Sequence, residues 1–311
     1  MTWHVLISAP YMIPVIDRFR PWFAEHDIEI TVADVQERLE EADLLPIIAK
    51  YHGIVCGDDR ITKTVIDAAT NLKVISKWGT GIDSIDAAYA ATKGIPTGRT
   101  LDAFTQPVAD TALGYILSFA RNLPWMDKMM KAGIWDKIPG RALNESTIGV
   151  VGVGCMGSAV LRRAKPFGAR LLGNDIRTID PSFVAEVGVE MMDLDSLLEQ
   201  ADFVSVCCDL NPTSYLLFND ERFKRMKAGS VLVNTARGPV VQEEALVRAL
   251  QSGKIAGCAL DVFEHEPLPR TSALLGMDNV MLAPHNSNSS PKAWERIHHS
   301  TLKNLLDGLR A

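Results

Sequence analysis

Short apolar runs alternate with stretches of helical periodicity along the whole chain. In the N-terminal part, the runs typical of buried strands are residues 5–8, 28–32, 53–56 and 74–76. From residue 147 the pattern starts again, with strands predicted at residues 147–151, 169–174, 203–207, 231–234, 257–260 and 280–283. Strands that alternate with helices in this way predict an α/β fold with parallel sheets.

Two longer segments have the periodicity of helices. Residues 105–121 are apolar on almost every side, and the pattern predicts Thr105 as the N-cap with Pro107 in the first turn. Such a helix is buried on several faces, so it packs either between domains or subunits, or in the core of one domain. The tail from Pro291 is amphipathic and predicts a helix with one buried face.

A glycine-rich turn follows the first strand of the second series. Gly152, Gly154 and Gly157 have dinucleotide-site spacing: the first permits the turn, the second lets a pyrophosphate approach, and the third lets helix pack on strand. The next strand ends in Asp175, 23 positions after Gly152, where a carboxylate meets ribose hydroxyls. Asp175 favours NAD over NADP. Arg177 is near enough to soften that preference, although we expect it to face solvent.

Composition narrows the class of function. The 311 residues are 47% hydrophobic and 23% charged, which suits a globular protein of two domains. The net charge of −6 gives no support for binding to nucleic acid or to a membrane surface. Five cysteines form no CxxC motif and are odd in number, which argues against a zinc site or a disulfide framework. Without a signal peptide or an apolar span in the sequence, we expect a cytoplasmic protein.

Three polar side chains come shortly after the ends of predicted strands. They are Arg237, Glu266 and His285. In a doubly wound sheet, ligands bind beyond the carboxyl ends of the strands, so all three belong to one rim. An arginine that binds a carboxylate, a histidine that transfers a proton and a carboxylate that fixes the histidine tautomer suit the reduction of a 2-oxo acid.

These residues belong to a set of motifs that resembles the D-isomer-specific 2-hydroxyacid dehydrogenases, the family of phosphoglycerate, glyoxylate/hydroxypyruvate and D-lactate dehydrogenases. In order, the motifs are KWGTGIDSID at residues 77–86, GVGCMG at 152–157, VNTARG at 233–238, LDVFEHEPL at 260–268 and APH at 283–285. The resemblance covers nearly the whole chain. It implies two Rossmann-like, doubly wound parallel-sheet domains with a cleft between them. We place a discontinuous substrate-binding domain at residues 1–100 plus 288–311, and an NAD-binding Rossmann domain at residues 101–287.

The resemblance also implies a role for each matching residue. The catalytic residues are Arg237, Glu266 and His285, with His285 as general acid and base. The substrate-binding residues are Trp78, the backbone of Gly79, Thr80 and Gly81, and Arg237. The cofactor-binding residues are Gly152, Gly154, Cys155, Met156, Gly157, Asp175, Ala236 and Asp261. Asp261 would orient the nicotinamide carboxamide. Glu264 and His265 match no catalytic position and are expected to be solvated loop residues.

The implied reaction is hydride transfer between NAD and C2 of a small 2-oxo or 2-hydroxy acid, in a homodimer without a metal site. Residues 286–290 depart from the family, because they replace a glycine-rich segment with asparagines and serines. The distal end of the substrate stays open. A phosphate-binding arginine of the phosphoglycerate enzymes is Cys56 here, although Lys77 and Arg60 lie near. Alternatively, an apolar pocket would be lined by Trp78, Phe104 and Met12, which suit ordinary core packing equally well.

Besides a general 2-oxoacid reductase, the sequence leaves three other functions to consider. One is D-3-phosphoglycerate dehydrogenase specifically. Another is a non-enzymatic, NADH-sensing protein like the corepressors of the family. The third is a methyltransferase, which shares the glycine turn and the following acid. The set Arg237, Glu266 and His285 has no purpose in a methyltransferase, so the sequence disfavours that class.

Overall fold

Two units make up the structure, a computed structural model that describes residues 2–311. The first unit contains the residues up to Phe104 together with Ser290–Ala311. The second unit contains Thr105–Ser289. The first unit is therefore discontinuous in sequence.

Strands and helices alternate in both units. The strands are β1 (Trp3–Ile7), β2 (Ile28–Val32), β3 (Gly53–Cys56), β4 (Val74–Lys77), β5 (Thr97–Gly98), β6 (Thr147–Val151), β7 (Arg170–Asn174), β8 (Glu190–Met191), β9 (Phe203–Val206), β10 (Ser230–Asn234), β11 (Ile255–Leu260) and β12 (Val280–Leu282). The α-helices are α1 (Arg20–Glu25), α2 (Glu41–Leu44), α3 (Lys63–Ala68), α4 (Ala87–Thr92), α5 (Thr105–Ala120), α6 (Leu123–Lys131), α7 (Cys155–Ala164), α8 (Pro181–Val187), α9 (Leu194–Gln200), α10 (Asp220–Arg225), α11 (Glu243–Gln251) and α12 (Pro291–Arg310). Short 3-10 helices are Ile13–Phe19, Ile48–Lys50, Leu143–Glu145, Lys165–Phe167, Gly238–Val240 and Ala273–Gly276.

The first unit is built on a parallel sheet with the strand order β2-β1-β3-β4-β5. Strands β3 and β4 are buried along their whole length, which fits the apolar run of β3, whereas β4 ends in the buried polar residues Ser76 and Lys77. The amphipathic tail forms α12, whose apolar face is buried through Ile297, Leu302 and Leu305. The strand order reverses between β1 and β3, and ligands bind at such a reversal.

The second unit is built on a parallel sheet with the strand order β12-β11-β10-β9-β6-β7-β8. Two apolar clusters pack against it, one around Leu197, Leu232 and Leu246, and one around Ile148 and Val160. The strand order reverses between β6 and β9, so the loops after these strands flank a crevice. The predicted fold class, α/β with two parallel sheets and flanking helices, is confirmed.

The long apolar helix predicted at residues 105–121 is α5, and it lies in the second unit against α7 and β10. Ala109, Ala112 and Ile116 are buried there, so the helix belongs to the core of this unit. The N-cap prediction is wrong. Thr105 is already helical, and its buried hydroxyl has no hydrogen-bond partner. An N-cap residue lies outside the helical region, from where its side chain reaches the first N–H groups.

Two further predictions concern the chain as a whole. Within residues 2–311, we find no helix that combines the length and the apolar character needed to cross a membrane. Within the same residues, the cysteines form no disulfide bond. Burial raises the pKa of Cys207 to about 11 and that of Cys208 to about 12, so neither thiol is ionised at neutral pH.

Candidate active site

The glycine turn lies at the crevice where the strand order of the second sheet reverses. Gly152 has φ +91°, and a Cβ there would lie 2.5 Å from the backbone nitrogen of Cys208. A Cβ on Gly157 would lie 2.0 Å from the carbonyl oxygen of Gly152, so neither position accepts a side chain. A Cβ on Gly154, by contrast, would meet nothing nearer than Arg177 Nη2 at 3.5 Å. The turn therefore closes on itself and leaves room at Gly154, which fits the approach of a pyrophosphate.

Helix α7 begins directly after this turn. Gly154 is its N-cap, and Cys155 and Met156 occupy its first turn. The first N–H groups of a helix have no acceptor within it, and the helix dipole adds positive potential at the same end. The residues present therefore fit the phosphates of a dinucleotide through backbone groups, and neither the Cys155 nor the Met156 side chain is needed for that contact.

Asp175 follows β7 and is fixed beside the turn. Its Oδ2 accepts the Val153 N–H at 2.8 Å, and its Oδ1 accepts the Arg177 N–H at 2.8 Å. Arg177 Nε donates to the same Oδ1 at 3.1 Å. Burial acts to raise the pKa of Asp175, but the hydrogen bonds from Arg177 and Val153 outweigh it and hold the pKa below its usual value. Asp175 is therefore an anion at neutral pH.

Arg177 is exposed to solvent, as expected. Its guanidinium pairs with Asp175, although much of its side chain is exposed. The pair forms because the chain bends after β7, which brings the arginine back over the carboxylate two residues earlier. The sequence offers no periodicity from which this contact could be derived.

Arg237 is positioned by the residues around it at the end of β10. The Asn234 side chain folds back on this loop: its Nδ2 donates to the Arg237 carbonyl at 3.0 Å, and its Oδ1 accepts the Ala236 N–H at 3.0 Å. Arg237 Nη1 donates to the Ala236 carbonyl at 2.9 Å. A Cβ on Gly238 would lie 1.7 Å from the Phe263 carbonyl oxygen, so the two loops pack backbone to backbone. Arg237 is thereby held beside the loop that carries Glu266.

Glu266 and His285 form a hydrogen-bonded pair at the same edge. Glu266 Oε2 lies 3.0 Å from His285 Nδ1, and both side chains are mostly buried. Glu266 Oε1 accepts the Phe263 N–H at 2.9 Å, which fixes the carboxylate. A carboxylate at Nδ1 keeps a proton on that nitrogen, so Nε2 is the basic nitrogen of the neutral ring. This arrangement allows Nε2 to accept and return a proton.

The backbone also holds His285. Its φ of +50° is unusual for a residue with a side chain, and its N–H donates to the Asp261 carbonyl at 2.8 Å. The fully buried Asp261 carboxylate accepts the N–H groups of Asn286 at 2.8 Å and Ser287 at 2.9 Å. Burial raises the pKa of Asp261 against these hydrogen bonds. Asp261 thus anchors the segment after His285, and its contact with the nicotinamide stays a prediction.

Glu264 is a half-buried loop residue with a structural contact, whereas His265 is exposed as expected. Glu264 Oε2 accepts the Glu243 N–H at 3.0 Å, at the first residue of α11. The start of a helix presents N–H groups without acceptors, and a carboxylate from a neighbouring loop satisfies one of them. Glu264 is therefore a structural residue.

The predicted substrate residues of the first unit follow β4. Trp78 is buried, its Nε1 donates to His298 Nδ1 at 3.0 Å, and its ring stacks on Tyr11 with centroids 5.0 Å apart. The Thr80 hydroxyl donates to the Thr100 carbonyl at 2.8 Å and so fixes the loop of residues 79–81. Tyr11 and His298 were missed by sequence reasoning, because no motif marks an aromatic contact between distant segments.

Comparison with known proteins finds relatives that are described as dehydrogenases or reductases of 2-hydroxy or 2-oxo acids. Residues 113–287 match the family model described as "D-isomer specific 2-hydroxyacid dehydrogenase, NAD binding domain". A glyoxylate reductase of Thermococcus onnurineus is 39% identical over 294 residues, which are 92% of this chain and 84% of that protein. A D-3-phosphoglycerate dehydrogenase of Methanocaldococcus jannaschii is 38% identical over 268 residues, 85% of this chain but 49% of that protein. The structure of D-lactate dehydrogenase from Aquifex aeolicus, complexed with NAD and lactic acid, has a TM-score of 0.85 and 28% identity, covering 96% of this chain and 93% of that chain.

Proposed function

The chain belongs to the D-isomer-specific 2-hydroxyacid dehydrogenase family, and we propose that it catalyses the NAD-dependent reduction of a small 2-oxo acid to the D-2-hydroxy acid. The predictions of family, of an oxidoreductase and of NAD as cofactor are confirmed. The reaction at C2, the catalytic residues and the substrate are the proposal.

The proposal of a 2-oxoacid reductase rests mainly on one observation. His285 Nδ1 lies 3.0 Å from Glu266 Oε2 at the carboxyl end of a parallel sheet that also carries the glycine turn. A proton-transfer group and a dinucleotide cradle at one edge are what reduction of a carbonyl requires. The test is NADH oxidation, followed by absorbance, with glyoxylate, hydroxypyruvate, pyruvate and branched 2-oxo acids. Sustained turnover on one of them supports the proposal, and failure on all of them despite NADH binding rejects it.

The chain's own residues divide the work. NADH, when bound, supplies the hydride for C2. In the protonated ring, Nε2 of His285 gives its proton to the carbonyl oxygen of the substrate, while Glu266 stabilises the charged ring and holds its orientation. The Arg237 guanidinium binds the substrate carboxylate and stabilises the negative charge that develops on the oxygen. We also propose that the backbone of Gly79, Thr80 and Gly81 binds the substrate carboxylate.

The charge of Asp175 sets the proposed preference for NAD over NADP. Its pKa is held low, so the carboxylate stays charged above its depressed pKa and repels a 2′-phosphate. In Asp175→Asn, we expect the ratio of kcat/KM for NADH over NADPH to fall at least about tenfold, because the repulsion is lost and Arg177 is released. Asp180→Asn is the matched control, since Asp180 caps α8 and asparagine caps equally well. An unchanged ratio in Asp175→Asn contradicts this assignment.

We also propose a homodimer formed through the second unit. Four large apolar side chains are exposed between the start of α6 and the following loop: Leu123, Met130, Ile134 and Trp135, the last 81% exposed. Neighbouring exposed apolar side chains are typical of interaction surfaces. Trp135→Asp should raise the dimer dissociation constant at least about tenfold. Light scattering coupled to size exclusion measures this, with Leu275→Asp, an exposed leucine elsewhere in the unit, as control. A monomeric wild type, or a dimeric Trp135→Asp variant, argues against this interface.

A further inference from the structure

The first sheet has its own ligand-binding edge, formed by the carboxyl ends of β1, β3 and β4. The strand order reverses between β1 and β3, and ligands of doubly wound sheets bind at such a reversal. Cys56 and Lys77 are paired in register as the last residues of β3 and β4. The residues that follow them therefore lie at the same edge as the proposed substrate loop, residues 79–81.

Lys77 is a cation at this edge, and Asp58 already compensates its charge. Its Nζ donates to the Gly57 carbonyl at 2.6 Å and to Asp58 Oδ1 at 2.6 Å. The lysine side chain is 4% exposed, whereas that of Asp58 is 31% exposed. Lys77 Cε lies 3.8 Å from where a Cβ on Gly79 would be, so the ammonium group sits beneath the substrate loop. From solvent, a ligand meets the Asp58 carboxylate before it meets the ammonium.

The loop that carries Asp58 is fixed from behind. The carboxylate of Asp59 is fully buried and accepts the Ser8 hydroxyl at 2.6 Å, the Leu39 N–H at 2.6 Å and the Gly57 N–H at 3.1 Å. Asp58 therefore stays against Lys77 unless these hydrogen bonds break. The pair is part of the folded unit and is not a chance contact of two mobile side chains.

Another acidic side chain lies close to Asp58. A carboxylate oxygen of Glu37 lies within 4.8 Å of one of Asp58. Arg38, the next cation along that loop, is paired with Glu40 at 2.7 Å. A second carboxylate therefore lies beside that of Asp58. The ammonium group of Lys77 is already paired with Asp58, so it attracts a phosphate only weakly. The carboxylates of Asp58 and Glu37 would repel a phosphate brought to this edge.

We propose that the Asp58–Lys77 pair excludes a second anionic group, so that this protein reduces 2-oxo acids with an uncharged side chain and rejects phosphorylated ones. This rests on the proposed function and narrows it to one substrate class. The stacked rings of Tyr11 and Trp78 at the same edge supply apolar surface that suits an uncharged side chain. The pair acts by repulsion, which is a common source of specificity.

Hydroxypyruvate and 3-phosphohydroxypyruvate test the proposal, because they differ by the phosphoryl group alone. With the full-length protein and NADH, we expect kcat/KM to favour hydroxypyruvate at least about 100-fold, in line with the cost of juxtaposed like charges. Equal or better use of the phosphorylated acid overturns the proposal. Turnover of the phosphorylated acid would still support a 2-oxoacid reductase, so failure of this proposal can be distinguished from failure of the proposed function.

Asp58→Asn should relax the discrimination. The amide oxygen can still accept a hydrogen bond from Lys77, while the negative charge is removed. We expect the relative kcat/KM for the phosphorylated acid to rise at least about tenfold, with hydroxypyruvate kinetics changed only a few-fold. The matched control is Asp67→Asn, which removes the carboxylate of another Asp–Lys pair of this unit, Asp67–Lys93. An unchanged ratio in Asp58→Asn, or the same change in Asp67→Asn, overturns the assignment to Asp58.

A binding measurement keeps the proposal testable without turnover. Calorimetry of the wild-type protein saturated with NADH compares D-glycerate with 3-phospho-D-glycerate, since hydroxy acids do not react with the reduced cofactor. The phosphorylated acid should bind at least about 100-fold more weakly. Tighter binding of the phosphorylated acid overturns the proposal, whatever the outcome of the kinetic assays.

Discussion

Replacing His285 by alanine is expected to lower kcat about 100- to 10,000-fold, the usual contribution of a general acid. The imidazole is held by Glu266 at 3.0 Å and by a hydrogen bond from its own backbone N–H to the Asp261 carbonyl, and the substitution removes the ring that this arrangement positions. The affinity for NADH should change less than about threefold, because the glycine turn is untouched. Initial rates with the best 2-oxo acid measure kcat, and fluorescence titration measures the binding of NADH.

His265→Ala is the matched control for this prediction. His265 is an exposed histidine in the loop that precedes Glu266, and nothing in the proposed mechanism requires it. Its kcat should stay within a factor of about two of the wild type. Near-normal turnover in His285→Ala, or an equal loss in both variants, contradicts the role given to His285.

Replacing Arg237 by lysine is expected to lower kcat/KM about 100- to 1,000-fold, even though the positive charge is kept. A guanidinium presents a planar fork that matches a carboxylate, whereas an ammonium is a point charge at a different reach. Loss of stabilisation of a developing oxyanion has a similar cost. Both an increase in KM and a decrease in kcat should be measured, because the group binds the carboxylate and also stabilises the transition state.

The same substitution at Arg248 provides the control. Arg248 lies on α11 and pairs with Asp220 at the surface of the same unit. Arg248→Lys should leave kcat/KM within a factor of about two, as expected for an exposed ion pair. If Arg237→Lys behaves in the same way, the arginine is a structural residue and the proposed mechanism loses its carboxylate-binding group.

The fold and the cofactor turn could be predicted because their signals are local. The run from Thr147 to Val151 has the β-branched, apolar character of a buried strand, and it forms one over the predicted residues. The spacing of Gly152 and Gly157 reflects backbone clashes, at 2.5 Å and 2.0 Å, that any side chain would create. These constraints act on a few consecutive residues, so a single sequence is enough to predict the strand and the glycine turn.

The missed contacts join residues that periodicity does not relate. Asp175 and Arg177 are two positions apart after a strand, where side-chain direction depends on the turn that follows. Asp58 meets Lys77 because two strands end in register, which the sequence leaves unspecified until the strands are paired. Glu264 reaches the start of α11 only because Gly238 lets two loops pack backbone to backbone. These contacts depend on tertiary structure.

Transfer of deuterium from the cofactor to C2 of the substrate would show the direct reduction of a 2-oxo acid. The full-length protein would be incubated with NADH carrying two deuterium atoms at nicotinamide C4, together with glyoxylate, pyruvate and hydroxypyruvate, and the acids analysed by NMR. Direct reduction predicts a 2-hydroxy acid with one deuterium at C2, of D configuration where C2 is a stereocentre. NADH that stays intact, or a 2-hydroxy acid without deuterium at C2, would contradict direct reduction by this protein.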